Sequence, residues 1–127
     1  MIAQILVADD NSDILTLLSE HLAFRGHRVI AVGDGTALAL KAAEHLPHLI
    51  ITDIKMPGSY GSSVYQVLQN DERTRRIPIL FMSAHPVDKV AALLPDDPKT
   101  RFLRKPLDLA KLDATIAELL PLGGYVP

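Results

Sequence analysis

The chain has 127 residues, of which 48% are hydrophobic, and its thirteen Lys and Arg nearly balance fifteen Asp and Glu, for a formal net charge of −2. This length suits one domain with one core, and the near-neutral charge excludes a general electrostatic case for nucleic-acid binding. There is no cysteine, no apolar run near the ~20 residues of a membrane span and no basic leader, so we expect a cytoplasmic domain that contacts no membrane.

Strand and helix patterns alternate through the first half of the chain. The predicted elements are strand 5–8, a helix capped by Asn11 or Ser12, strand 27–32 and helix 36–45. The first helix has a broad apolar stripe that ends at Phe24, and Gly26 stands where a left-handed C-cap is expected. The turn at 33–35 lacks the third glycine of a dinucleotide-binding loop, so we assign it to a tight strand-to-helix connection.

The second half continues this alternation after a central apolar run. Leu49–Asp53 is apolar without alternation, which indicates a strand buried on both faces, and Pro57 and Gly58 turn the chain after it. The remaining predicted elements are a helix from Ser62 or Ser63 to Asn70, strand 79–82, helix 87–94, strand 100–104 and helix 109–120. Pro95 and Pro98 should stop the fourth helix. We assign residues 1–121 to the domain and 122–127 to a tail, frayed or starting a linker.

The order of these elements predicts the fold. Five strands alternating with five helices imply an α/β, doubly wound, five-stranded parallel sheet with helices on both faces. In the flavodoxin-like strand order 2-1-3-4-5, the carboxyl ends of neighbouring strands meet at one edge of the sheet. That edge would collect the side chains with useful chemistry, which are Asp9, Asp10, Asp53, Ser83 and Lys105.

These side chains indicate phosphoryl transfer. Three neighbouring carboxylates repel one another unless a cation compensates, and Mg²⁺ is a hard ion that prefers oxygen ligands. Asp53, at the centre, is a candidate nucleophile that would form an aspartyl phosphate. Lys105 would direct a positive charge toward the phosphoryl oxygens, and Ser83 would offer a hydroxyl donor.

Two other polar clusters have simpler interpretations. We interpret Arg73, Arg75 and Arg76 as a solvated loop rather than a phosphate-binding patch. His45 and His48 are interpreted as surface histidines rather than a metal site.

The order and spacing of the polar residues resemble those of a known family. The residues that carry the resemblance are the Asp9-Asp10 pair, Asp53 with Met56-Pro57 and Gly61 behind it, Ser83-Ala84 and Lys105-Pro106. Over nearly its whole length the chain is similar to the CheY-like receiver domain of bacterial response regulators, the phospho-acceptor half of two-component signalling.

The resemblance implies a metal site and a phosphorylation site. It implies Mg²⁺ held chiefly by Asp10 and Asp53, with Asp9 assisting and the backbone carbonyl of Lys55 contributing. It also implies that Asp53 receives its phosphoryl group from the phosphohistidine of a sensor histidine kinase or phosphotransfer protein. Such a phosphoprotein catalyses only its own phosphorylation and dephosphorylation and is not otherwise an enzyme.

The resemblance further implies a switch. Ser83 would move toward the new phosphoryl group and Phe102 would rotate inward, which remodels the face made by the fourth helix, the fifth strand and the fifth helix. This population shift would control a downstream protein or a linked output domain, without direct nucleic-acid binding by the receiver itself. The Lys105-Pro106 peptide bond would be cis, a form that has a low free-energy cost only when the second residue is proline.

Some residues depart from the family pattern. Ser59 and Tyr60 stand where the family commonly has an apolar residue and then Asp or Asn, which bears on the fit of a kinase. Lys55 can lean over the phosphoryl group and change its rate of hydrolysis. Phe102 lacks the hydroxyl of the tyrosine often found there, and the Pro95–Pro98 segment shortens the fourth helix.

Two alternative functions remain at this point. The first is a receiver fold that docks partners without phosphorylation, although that class usually lacks an acid or the lysine, and neither is missing here. The second is a phosphotransferase or phosphatase that works through an aspartyl phosphate. That class generally has an Asp-x-Asp motif and a cap domain, whereas this chain has adjacent acids.

Overall fold

The computed structural model describes residues 2–56 and 59–126, without the side chains of 59–62 and 87–88. The strands of its main sheet are β1 (Gln4–Ala8), β2 (Arg28–Val32), β3 (Leu49–Asp53), β4 (Ile79–Ser83) and β5 (Thr100–Arg104). The helices are α1 (Ser12–Phe24), α2 (Gly35–His45), α3 (Gly61–Asn70), α4 (Val87–Val90) and α5 (Leu109–Leu119). None of the helices in this described part is long and apolar enough to cross a membrane.

All five strands of the main sheet are parallel and lie in the order β2-β1-β3-β4-β5. The predicted doubly wound fold and strand order are therefore confirmed. A short antiparallel ribbon, Lys55–Met56 with Ser59–Tyr60, follows β3 and was not predicted. The turn inside it, at Pro57 and Gly58, lies outside the described residues.

The sheet separates two hydrophobic cores, because alternate residues of each buried strand face opposite sides. In β1, Ile5 and Val7 face the core under α1 and α5, whereas Leu6 and Ala8 face the core under α2 and α3. Every residue of β3 and β4 is buried, as expected for parallel strands covered on both faces. This rigid sheet fixes the positions of the side chains at its carboxyl-terminal edge.

The helix ends partly match the sequence expectations. The Asn11 side chain caps α1 by accepting hydrogen bonds from two backbone N–H groups, and Gly26 has a φ of 91°, the left-handed conformation expected after the helix. Phe24, which we placed on the apolar stripe, is 85% exposed. It lies at the last turn of α1, beyond the reach of the core. The third helix begins at Gly61 rather than being capped by Ser62 or Ser63.

The fourth helix is shorter than predicted. Four helices have ten or more residues, but α4 is a single turn followed by a 3₁₀ turn at Ala91–Leu93, where the sequence predicted a helix over 87–94. The chain becomes extended at Leu94, directly before Pro95. Because the residue before a proline is pushed out of the helical region, Pro95 ends the helical segment one residue earlier than expected.

A partly buried polar network holds the loop before β5 against α3. The Tyr65 hydroxyl donates a hydrogen bond of 2.5 Å to Asp97 Oδ2, and Lys99 Nζ forms an ion pair with the same carboxylate. Lys99 Nζ also donates to Gln69 Oε1 on α3 at 3.3 Å. Burial opposes ionisation of Asp97, but the hydrogen bonds from Lys99 and Tyr65 hold the pKa of Asp97 below its ordinary value.

The residues after α5 fold back onto the domain instead of fraying. A 3₁₀ turn at Leu120–Gly123 follows the helix, and the Tyr125 hydroxyl donates to the carbonyl oxygen of Ile2 at 2.6 Å. The Tyr125 ring also packs edge-on against the His48 ring, with centroids 4.8 Å apart. His48 is therefore part of a structural contact, and its Nδ1 accepts the backbone N–H of Gln4.

We predict that Asp97→Asn lowers the free energy of unfolding at pH 7 by roughly 2 kcal/mol, because it weakens charge-assisted hydrogen bonds in a half-buried site. A carboxyl group with a lowered pKa contributes stability above its ordinary pKa of 3.8, and that contribution disappears as the pH falls through its native value. Urea unfolding of both proteins should therefore converge at acid pH.

The matched control for this prediction is Asp71→Asn, which removes a solvent-exposed pair with Arg73. Exposed pairs are screened by water and contribute little. Equal losses for the two variants at pH 7 would contradict the role assigned to the Asp97 network.

Candidate functional site

Three acids from distant parts of the chain meet at the carboxyl-terminal edge of the sheet. Asp9 and Asp10 follow β1, and Asp53 ends β3, which pairs directly with β1 through Ala8 and Thr52. One carboxylate oxygen from each acid lies within 4.8 Å of the others. Asp9 is fully buried, Asp53 is 8% exposed, and Asp10 faces solvent. The predicted acidic cluster is thus present, with one side open.

Lys105 bridges the two buried acids. Its ammonium group donates hydrogen bonds of 2.6 Å to Asp9 Oδ2 and of 2.6 Å to Asp53 Oδ2. The lysine follows β5, and its backbone N–H donates to the carbonyl oxygen of Ser83 at 2.8 Å, which extends the strand pairing to the edge of the site. The Lys105-Pro106 peptide bond is cis.

The environment of Lys105 favours its charged form. Burial of the side chain disfavours the ammonium ion, but the hydrogen bonds that it donates to Asp53 and Asp9 outweigh burial and raise the pKa of Lys105 above 10.5. The lysine is therefore a permanent cation at neutral pH. It compensates part of the repulsion among the acids.

Backbone groups orient the remaining oxygens of the buried acids. The N–H of Asn11 donates to Asp9 Oδ1 at 2.9 Å, and the N–H of Lys55 donates to Asp53 Oδ1 at 2.9 Å. Both contacts span two residues, which is the geometry of an Asx turn after a strand. The Asn11 N–H was not among the predicted site groups, although an acid two residues earlier, at a strand end, was an available signal for it.

Ser83 lies beside the acids at the end of β4. It is 1% exposed, and its Oγ accepts a hydrogen bond of 3.0 Å from the backbone N–H of His85. A hydroxyl that accepts in this way keeps its own proton as a donor. The neighbouring strand β4 thus contributes a hydroxyl group to the same edge of the sheet, as predicted from its position.

Phe102 lies away from the acids, in the middle of β5. It pairs with Phe81 of β4 and is half-buried at the edge of the core under α2 and α3. A cavity of about 330 Å³ adjoins it, lined in part by Leu94, Pro95 and Pro98. The cavity lies between the segment after α4 and the aromatic ring.

The donor set fits a hard divalent cation. Three carboxylates and one ammonium give the site a formal charge of −2, which a dication would neutralise. Oxygens on opposite sides of one Mg²⁺ lie roughly 4.2 Å apart. One oxygen of each acid lies within 4.8 Å of the others, so the three are near enough to share one ion. The exposed carboxylate of Asp10 leaves the cluster open to an ion from solvent.

The family model described as the response regulator receiver domain matches residues 5–117 of the chain. Response regulator PleD of Caulobacter vibrioides is 37% identical over 122 residues, which are 94% of this chain and 26% of that protein. The DNA-binding dual master transcriptional regulator RpaA of Synechocystis is 32% identical over 126 residues, which are 98% of this chain and 52% of that protein. The chain thus spans between a quarter and about half of these relatives.

Solved structures share the fold. Chemotaxis response regulator CheY4 of Vibrio cholerae has a TM-score of 0.81 at 24% identity, covering 94% of this chain and 99% of that one. The receiver domain of sensor histidine kinase PA1611 from Pseudomonas aeruginosa has a TM-score of 0.84 at 23% identity, covering 95% and 99%. That structure is described with a magnesium ion coordinated in its active site cleft.

We predict that Lys105→Met lowers the free energy of unfolding by roughly 3 kcal/mol at pH 7 in a chelator, because Asp9 and Asp53 are left buried without a counter-charge. Adding Asp9→Asn to this variant should restore part of the loss, since it removes one of the two charges. Urea unfolding provides the measurement.

Lys111→Met is the matched control, because Lys111 is exposed on α5. It should unfold like the parent protein. A Lys105→Met variant as stable as this control would mean that the ammonium does not compensate the acids.

Proposed function

The chain belongs to the response regulator receiver domain family, and from this premise we propose that Asp53 accepts a phosphoryl group from the phosphohistidine of a sensor histidine kinase or phosphotransfer protein. The observation that supports this proposal is the position of Asp53 between Lys105 and the backbone N–H of Lys55, which together fix its carboxylate at the edge of the sheet. We place this exchange in the cytoplasm, where kinases draw on ATP.

The proposed reaction transfers one phosphoryl group. A carboxylate oxygen of Asp53 attacks the phosphorus, a P–O bond forms, and the P–N bond of the phosphohistidine breaks. The electron pair of that bond returns to the imidazole nitrogen, and Asp53 becomes an acyl phosphate. Hydrolysis by water later regenerates the carboxylate and releases inorganic phosphate. No other substrate is required, so the chain catalyses only its own phosphorylation and dephosphorylation.

We propose that Asp10 and Asp53 hold Mg²⁺, with Asp9 assisting and the Lys55 carbonyl contributing. When bound, the ion would neutralise charge on the phosphoryl oxygens and help to align them with the attacking carboxylate. Asp9 is fully buried and Asp10 is exposed, so the two acids would have different roles. Asp9 holds Lys105 in place, whereas Asp10 faces the side from which an ion would enter.

Lys105 and Ser83 would stabilise the phosphorylated state. The ammonium already contacts Asp53, so a phosphoryl group on that side chain would bring its oxygens within reach of a fixed positive charge. The Ser83 hydroxyl accepts from His85 and can donate its proton to a phosphoryl oxygen. Ser83 ends β4 and Lys105 directly follows the neighbouring strand β5, so only short movements are needed to reach a phosphoryl group on Asp53.

The output would be a shift of the face formed by α4, β5 and α5. Movement of Ser83 toward the phosphoryl group would draw the chain after β4 inward, and Phe102 would move into the space beside it. The partner would be a downstream protein or a linked output domain. PleD and RpaA are both longer than their matched segments.

Two alternatives remain as proposals of lower rank. A docking module that is never phosphorylated would not need the three acids and the lysine in contact, which this chain keeps. A phosphotransferase acting on other molecules would need a pocket for its substrate beside Asp53. That class also generally has an Asp-x-Asp motif, whereas Asp9 and Asp10 are adjacent in this chain.

We expect incubation with Mg²⁺ and a small phosphodonor such as acetyl phosphate to add one phosphoryl group, measured as intact mass. Asp53→Asn should abolish the gain because the amide is a poor nucleophile. Asp13→Asn, on the exposed first turn of α1, is the matched control and should be phosphorylated like the parent protein. A parent protein that gains no mass at any donor concentration would favour the docking module.

We also expect Mg²⁺ alone to stabilise the protein. At a concentration about 100-fold above its dissociation constant, the ion should add ~2.7 kcal/mol to the free energy of unfolding. Asp10→Asn should lose most of this response, and Asp13→Asn should keep it. An undiminished response in the Asp10 variant would show that the ion binds elsewhere. This result does not depend on the outcome of the phosphorylation test.

A further inference from the structure

A basic groove lies at the amino-terminal edge of the sheet, away from the phospho-acceptor. It has a volume of about 550 Å³, and its lining includes Arg75, Arg76, Lys99, Leu122, Gly123 and Gly124. Lys99 precedes β5 and Lys105 follows it. At ~3.3 Å per residue, the strand places the groove roughly 20 Å from the acidic site. The groove is therefore a separate feature of the surface.

The wall that carries the arginines is rigid. The Arg75 N–H donates to the carbonyl oxygen of Asp71 at 3.0 Å, and the Arg75 carbonyl oxygen accepts from Gln69 Nε2 at 3.3 Å. Between these contacts, the buried Thr74 hydroxyl donates to the carbonyl oxygen of Leu68 at 2.7 Å. The backbone is thus fixed, and only the arginine side chains are free to adapt to a ligand.

The opposite wall is rigid as well. A Cβ at Gly123 would lie 2.5 Å from Cδ of Pro78, so the chain packs here at a distance that only glycine allows. Beyond the groove, Tyr125 is tied to the carbonyl oxygen of Ile2. Because both walls are preformed, binding in the groove requires little ordering of the protein.

Two of the arginines that line the groove form no ion pair with an acid of the described part of the domain. Arg73 pairs with Asp71 and Lys99 pairs with Asp97, whereas the ion pairs recorded within 2–56 and 59–126 include neither Arg75 nor Arg76. Both arginines are exposed. Guanidinium groups recognise carboxylates with two parallel hydrogen bonds, so this pair is suited to two acidic side chains.

We propose that this groove binds an acidic peptide segment of a partner protein. The arginines would bind two carboxylates, and Leu122, which is 50% exposed, would contact an apolar side chain between or beside them. A Cβ at Gly124 would meet no atom within 4 Å, so the lining is open at this residue. Two unpaired arginines on a domain of net charge −2 are too few to hold a nucleic-acid backbone firmly. The interaction is independent of phosphorylation at Asp53, so either proposal can fail alone.

The test uses fluorescein-labelled hexapeptides that combine three glutamates or aspartates with one or two leucines, and a matching set with glutamine and asparagine. Fluorescence anisotropy with the full chain should show binding of acidic peptides that weakens at least tenfold in Arg75→Glu/Arg76→Glu. The Arg28→Glu/Lys111→Glu variant has the same change in net charge on other exposed surfaces and should bind like the parent protein.

Further measurements separate this proposal from its rivals. Arg75→Lys/Arg76→Lys keeps the charge and should weaken binding several-fold, because lysine cannot form the paired hydrogen bonds. Amide NMR signals of Gly123 and Gly124 should shift on binding, while that of Asp53 should not. Failure of every acidic peptide to bind, equal losses in both charge-reversal variants, or tighter binding of inorganic phosphate or single-stranded DNA would overturn the proposal.

Discussion

The structure depends on one ionic contact, the bridge from Lys105 to Asp9 and Asp53. A carboxylate as deeply buried as Asp9 is unfavourable without a partner, and that partner comes from the opposite end of the chain. The contact requires β1 beside β3 and β5 separated from β3 by β4 alone, which the order β2-β1-β3-β4-β5 provides. The same interaction that satisfies a buried acid therefore also fixes the geometry of the candidate site.

The bridge leaves the site incompletely neutralised. The ammonium contacts two of the three acids, and Asp10 remains on the solvent side. A fully compensated cluster would have little affinity for a cation, and a cluster without Lys105 would be strongly repulsive. The intermediate charge holds the acids together while keeping a favourable site for a divalent ion. Stability and the proposed chemistry thus follow from the same charge arrangement.

Much of this arrangement could be predicted from the sequence, because unbroken apolar runs identify buried parallel strands and the acids directly follow them. The features that were predicted wrongly or not predicted depend on how distant parts of the chain pack together. The exposure of Phe24 is not visible in helical periodicity, since the pattern does not show how far the core extends. The Tyr65–Asp97 hydrogen bond joins residues 32 positions apart, and the Tyr125–Ile2 contact joins residues 123 apart. No local pattern indicates such pairs.

Ionic contacts hold both ends of β5 and so limit where a conformational change can occur. Lys99 at its start is held by Asp97, and Lys105 at its end is held by Asp9 and Asp53. Sliding of the strand by one residue would turn Phe102 to the other face of the sheet, so that movement is excluded by packing. Under the proposed function, a change at Asp53 would instead be carried by side-chain rotation and by the segment between β4 and Leu94. The shortened α4 lies in that segment. The loop at Asp97, which is held by its hydrogen bond from Tyr65, marks the end of the segment that can move.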